Sequence, residues 1–214
     1  MTHRINRRQA LGALGTVSLG ALLGACGSEE RKVATTGGGT ATVEPKSTAT
    51  ATGSLADKLD AAGSCAQTAE QTEGPYYFDA DAVRSDIRED RDGTVLTLAL
   101  RVREADGCTP IENAIVDIWH CDAGGVYSGF DDGKGERFLR GAQATNEDGI
   151  VQFKTVYPGW YRGRTVHIHA KVHLDRRTVL TTQLFFDERV SERVYAAQPY
   201  AGDTGRDTFN VRRA

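Results

Sequence analysis

The chain is short of several things that would place it in a function class. It has no excess of positive charge. Lys plus Arg is 26 against 29 for Asp plus Glu, a formal net charge of −3, whereas nucleic-acid binders carry a basic patch or stripe. It has 4 cysteines in 214 residues, too few for a disulfide-dense scaffold. No apolar run reaches the ~20 residues that a bilayer-spanning helix needs. Internal repeats are lacking, and no long stretch of helical period follows residue 65. Hydrophobic content, at 39%, is slightly low for a compact domain. The deficit has a local cause: residues 27–60 hold almost nothing that could form a core. The folded part is therefore shorter than the chain, and the length fits one domain with appendages.

The N-terminus has the form of an address. Arg4, Arg7 and Arg8 precede an apolar, Gly/Ala-rich stretch over residues 10–25, the n-region and h-region of an export signal. The pair Arg7-Arg8 resembles a twin-arginine signal. Leu23-Gly24-Ala25-Cys26 resembles a bacterial lipobox, which implies cleavage before Cys26, lipidation of its thiol and attachment to the outer side of the cytoplasmic membrane. A plain secretory signal with an incidental cysteine is the alternative. Removing residues 1–25 deletes three Arg, so the mature chain is near −6 (23 − 29). Residues 26–64, with Thr35-Thr-Gly-Gly-Gly-Thr40 and Thr48-Ala-Thr-Ala-Thr52, cannot bury enough apolar area to offset their ordering entropy. They read as a flexible tether.

From Cys65 the period becomes two. Leu96, Leu98, Leu100 and Val102 alternate with Thr97, Ala99, Arg101 and Arg103, the mark of a half-buried strand. Residues 114–119, 150–156, 166–174 and 179–186 are β-branched or aromatic runs between turns such as Glu104-Ala-Asp-Gly107 and Asn146-Glu-Asp-Gly149. The expected fold is all-β, an antiparallel β-sandwich with long loops over residues 65–214. Export permits disulfides. With Cys26 taken by lipid, three cysteines remain, so one stays unpaired. Cys65 and Cys108 both lie beside turn or loop residues and are the favoured pair, leaving Cys121 reduced. The sequence does not decide this connectivity.

The most informative segment is Val166-His167-Ile168-His169-Ala170-Lys171-Val172-His173. Strand alternation puts His167 and His169 on one face, about 6.6 Å apart along the chain, close enough for both imidazoles to meet one ion. His173 stands about 13 Å from His169 at the same rise, too far to share it. Tyr-rich turns lie upstream, in Tyr157-Pro-Gly-Trp-Tyr161 and Gly125-Val-Tyr127. No Asp or Glu stands at close motif spacing. Zinc sites favour Cys, His and carboxylate, and the common ferrous triad is two His with one carboxylate. Phenolates are hard, anionic donors that favour a trivalent ion. Two His with two Tyr therefore suggest Fe(III).

These segments, with Thr72-Glu-Gly-Pro-Tyr-Tyr77, Ala114-Ile-Val-Asp-Ile-Trp-His120, Phe138-Leu-Arg-Gly-Ala-Gln143, Gly163-Arg164-Thr-Val-His167 and Thr182-Gln183-Leu-Phe-Phe186, resemble the intradiol ring-cleavage dioxygenases in order and content. The group includes catechol 1,2- and protocatechuate 3,4-dioxygenases. The resemblance is to short exported members and covers roughly residues 65–187. It implies one non-haem Fe(III) held by Tyr127, Tyr161, His167 and His169. Tyr157 competes for the second tyrosine place. Arg164 matches the active-site arginine, Gln183 a supporting glutamine, and Tyr76 and Tyr77 a substrate-lining segment, although both tyrosines also suit plain packing. Tyr127 matches the tyrosine that leaves the metal and serves as a base.

The implied reaction takes a vicinal aromatic diol and O₂ to a cis,cis-muconate-type dicarboxylic acid. Arg140, Arg162 and Lys171 are candidate cations for a carboxylated substrate. His120 reads as a structural residue, Trp119 and Trp160 as core, and Asp131 and Asp132 as a solvated turn. The other readings are a secreted carbohydrate- or protein-binding sandwich module and a zinc or copper enzyme. A homodimer is compatible with the sequence.

Overall fold

The computed structural model describes residues 31–34, 40–43, 52–61, 65–175, 177–200 and 205–210. The expected export signal and Cys26 lie outside them. Inside the segment expected to be a tether, β1 (Arg31–Ala34) pairs antiparallel with β2 (Thr40–Val43), and α1 (Thr52–Ala61) follows. Charge joins α1 to the domain: Arg101 Nη1 donates to Asp60 Oδ1 at 2.6 Å, and Arg103 pairs with the same oxygen. No helix among the described residues is long and apolar enough to cross a membrane.

The domain runs β3 (Val95–Arg101), β4 (Ile115–Trp119), β5 (Arg140–Ala144), β6 (Ile150–Val156), β7 (His167–Leu174), β8 (Arg177–Phe185) and α2 (Glu188–Tyr195). β3 and β6 form one antiparallel sheet, and β5-β4-β7-β8 form the other. Leu96, Leu98 and Leu100 of β3 and Val151 and Phe153 of β6 pack against Val116 and Ile118 of β4 and Ile168, Ala170 and Val172 of β7. This face-to-face core is the expected antiparallel sandwich. Each large aliphatic removed from water there contributes about 1.5–3 kcal/mol.

Two elements carry little local signal. β5 reads Arg-Gly-Ala-Gln-Ala, without a β-branched or aromatic residue, and exists because β4 pairs with it along its length. α2 has eight residues, too few to show a helical period. Its start is set by Asp187, whose side chain accepts from Arg189 N at 2.9 Å.

β7 is buried on both faces. The core covers one. Over the other runs an extended segment, residues 69–77, which bonds to β8 through Gln71 N to Thr181 O at 2.9 Å and Thr182 Oγ1 to Ala69 O at 2.9 Å. Farther along, residues 84–87 tie the two sheets together, with Arg84 N on Ala142 O and Ile87 N on Lys154 O. Cys65 is bonded to Cys108, and Cys121 is a buried thiol outside that disulfide, donating to Gly159 O.

Candidate metal centre

With Ile168 and Ala170 in the core, alternation along β7 turns His167 and His169 to the opposite face. The tyrosines come from two loops that are locked together. Gly159 N donates to Asp122 O at 2.9 Å, and Asp122 Oδ1 accepts from Gly124 N and Val126 N. Gly125 sits at φ +86°, where a Cβ would run into the Trp160 carbonyl. Only glycine allows that approach cheaply, and it brings the Tyr127 loop onto the Tyr161 loop. The buried Arg140 holds the next residue, donating to Ser128 Oγ at 2.9 Å and Ser128 O at 2.7 Å.

Four donor atoms converge as a result. His167 Nε2 lies 3.0 Å from His169 Nε2, 3.2 Å from Tyr161 Oη and 3.5 Å from Tyr127 Oη. The two phenol oxygens are 3.5 Å apart. His167 Nδ1 stands 2.6 Å from Thr165 O. A carbonyl only accepts, so Nδ1 carries the proton and Nε2 turns its lone pair inward. His169 lies flat against Trp119, and its Nδ1 is buried with no hydrogen-bond partner.

The electrostatics suit a cation. Burial, together with the nearby Arg164 charge, pushes His167 down to about 4 and His169 down to about 2. Both imidazoles are therefore neutral donors at pH 7. Burial pushes the Tyr127 and Tyr161 hydroxyls up, so each phenol stays neutral until a strong positive charge is set among them. Among the described residues no group of three His, Cys, Asp or Glu is arranged to hold a metal. A metal here would take two imidazoles and two phenolates, a donor set that fits a trivalent ion.

The surrounding residues order the site. Arg164 Nη2 donates to Gln183 Oε1 at 2.5 Å, and Gln183 Nε2 donates to Thr72 O at 2.8 Å. Tyr76 stacks on Tyr127 with ring centroids 4.5 Å apart. Tyr77 packs on Trp119, and Lys171 Nζ lies 3.5 Å from the Tyr77 ring centre. Lys171 also forms an ion pair with Glu73. Asp117, on the same sheet face, is pushed up to about 7 by burial, with a Tyr77 hydrogen bond pulling the other way.

Other candidates fall elsewhere. The Tyr157 hydroxyl meets Ser191 Oγ at 2.8 Å in a separate apolar cluster with Val166 and Tyr200. His120 is buried and held by Cys121 O and Thr155 Oγ1. The His173 ring meets Thr178. Asp131 and Asp132 are exposed in a short 3₁₀ turn, and Arg162 is exposed. Sequence reading missed the roles of Trp119, Arg140 and the Glu73–Lys171 pair. Strand pairing was the signal for Trp119, which stands opposite His169 in the β4–β7 register.

Comparison with known proteins gives the family of the chain. A family model described as dioxygenase matches residues 72–199. The chain belongs to the intradiol ring-cleavage dioxygenase family. A similar solved structure is the intradiol ring-cleavage dioxygenase from Tetranychus urticae, 40% identical, with 67% of this chain and 76% of that one covered and a TM-score of 0.65. Another is the dioxygenase domain of a dioxygenase carbohydrate-binding protein fusion from Streptomyces sp. SirexAA-E, 33% identical, covering 69% and 89%, with a TM-score of 0.50. The chlorocatechol 1,2-dioxygenase of Cupriavidus pinatubonensis is 31% identical over 137 residues, 54% of this chain and 53% of that protein. The chain spans about half the length of the curated relatives it matches.

Proposed function

We propose that the protein is an Fe(III)-dependent dioxygenase that cleaves a catechol-type ring between its two hydroxylated carbons, using O₂, to a cis,cis-muconate-type dicarboxylic acid. The carrying observation is that the Tyr127, Tyr161 and His169 donor atoms all lie within 3.5 Å of His167 Nε2. Those four residues would hold the iron, which supplies Lewis acidity toward a vicinal diol and a redox partner for its ring.

The remaining work falls to the chain. Tyr127 Oη takes a proton from the incoming diol. Gln183, anchored on Thr72 O, orients the Arg164 guanidinium toward the negative charge that develops on the ring. The Tyr76 ring walls the site above Tyr127. Burial of His167, His169 and Tyr127 keeps bulk water from the donor atoms.

The test is oxygen uptake by iron-loaded protein over a panel of catechols, with products identified. Ring opening between the hydroxyls is expected, and opening beside the diol overturns the reading. The same proposal places the enzyme outside the cytoplasm on a lipid at Cys26, supported by the Arg7-Arg8 pair and the Leu23–Cys26 segment. Cys26→Ser should then release the protein from the membrane fraction. Unchanged membrane association sinks the anchor.

A further inference from the structure

Among the described residues the exposed large hydrophobic side chains are Val95, Val179, Phe185 and Phe209. Both aromatics stand at the metal-centre end of the sandwich. Phe185 shares the site face of β8 with Gln183, two residues away. It pairs with His167 across the β7–β8 ladder, and the two ring centroids are 6.2 Å apart. Yet Gln183 is buried while Phe185 is 46% exposed. Over two residues the sheet face passes from the site interior to solvent, and the ring at that boundary is an apolar one beside an iron-ligand candidate.

Arg164, bonded to Gln183, and Tyr161, whose ring meets His167, are half-buried. Residues 205–210 run alongside: Asn210 Nδ2 donates to Phe186 O at 2.6 Å, and Gly163 N donates to Asp207 Oδ1 at 2.9 Å. This segment carries the second exposed ring, Phe209. A half-exposed phenyl leaves apolar area in water that a bound ring would cover. Aromatic faces and edges also attract in offset or edge-on geometry.

We propose that Phe185 is a specificity-determining residue that stacks a second aromatic ring of the substrate, so that the preferred diols are catechols bearing an aryl group on a short flexible linker. This rests on the dioxygenase reading of the same site. The diol end sits among Tyr127, Tyr161, His167 and His169. The linker runs over the His167 end of β8, and the distal ring lies on the exposed Phe185.

The test compares catechol with 4-(2-phenylethyl)catechol on the iron-loaded protein. Two readouts are used: anaerobic binding, followed by the visible band, and kcat/KM for ring opening. Wild type should favour the extended diol, and Phe185→Ala should lower the extended-over-plain ratio about tenfold in both readouts. The loss should appear in Kd and KM rather than in kcat. Phe185→Tyr, which keeps the ring, should restore the ratio, and Val95→Ala should leave it unchanged. A wild type with no preference, or a ratio that survives Phe185→Ala, overturns the inference while leaving the dioxygenase reading intact. A protein whose band responds to neither diol and which opens neither ring fails at the function itself and takes the inference with it.

Discussion

Trp119 and His169 lie face to face, with ring centroids 4.7 Å apart and planes 5° from parallel. They are register partners on β4 and β7, so the stack is built into the sheet rather than into a loop. Tyr77 covers Trp119 in turn. His169 therefore has its ring plane set from below, although its Nδ1 has no partner to set it.

Replacing that platform should loosen the ligand and cost stability together. Trp119 is 1% exposed, so Trp119→Leu should destabilise by about 3 kcal/mol through the cavity it leaves. Denaturant unfolding measures this. Iron retention on dialysis should fall in the same variant even where the protein is fully folded. Unchanged retention would remove Trp119 from the support of His169.

The two candidate tyrosines separate by colour. Tyr161→Phe should weaken iron retention and lose intensity in the visible phenolate-to-iron band. Tyr157→Phe should keep that band, because the Tyr157 hydroxyl is engaged by Ser191 in another cluster. A colourless iron-loaded wild type would show that neither phenol binds the metal.

Arg164 and Gln183 act as a pair. Arg164→Ala should keep the colour and lower kcat by about 10²–10³-fold, the usual cost of a preorganised charge-stabilising donor. Gln183→Ala should cost less, since the charge remains and only its orientation is lost. Stopped-flow turnover on a fixed catechol measures both. Full activity in Arg164→Ala takes the guanidinium out of the chemistry.

Acid should destabilise the metal-free protein through its buried histidines. Burial holds His120 and His167 down to about 4 and His169 down to about 2, from an ordinary 6.5. Between those values the unfolded chain binds protons that the native state refuses. Stability therefore rises with pH in that window and is lost as pH falls from about 6.5 toward 4. The slope is about 1.4 kcal/mol per pH unit for each such group, and Asp117, held up to about 7 by burial, offsets one of them. Urea unfolding at pH 7, 6 and 5 should show midpoints falling together. His120→Gln should flatten the slope, and a pH-independent midpoint would contradict the buried neutral imidazoles.

Much of the site was legible because strand chemistry is local. The alternation at His167-Ile168-His169 puts both imidazoles on one face whatever surrounds them, and the leucines of β3 announce a half-buried strand. β5 was not legible, because Arg-Gly-Ala-Gln-Ala carries no strand propensity and is held by its neighbour. The segment across the outer face was not legible either. Its anchors are contacts between residues more than a hundred positions apart, such as Gln183 with Thr72.

Local pattern thus settled the sandwich strands, the histidine pair and the supply of tyrosines near it. Tertiary structure alone decided which phenols reach the histidines. Tyr157 and Tyr161 are four residues apart in one turn, yet packing turns the first to Ser191 and the second to His167. The physical reason is that a donor set is a matter of convergence. Distances between loops depend on close backbone approach at Gly125 and Gly159 and on burial by distant segments, and neither has a period that a sequence can display.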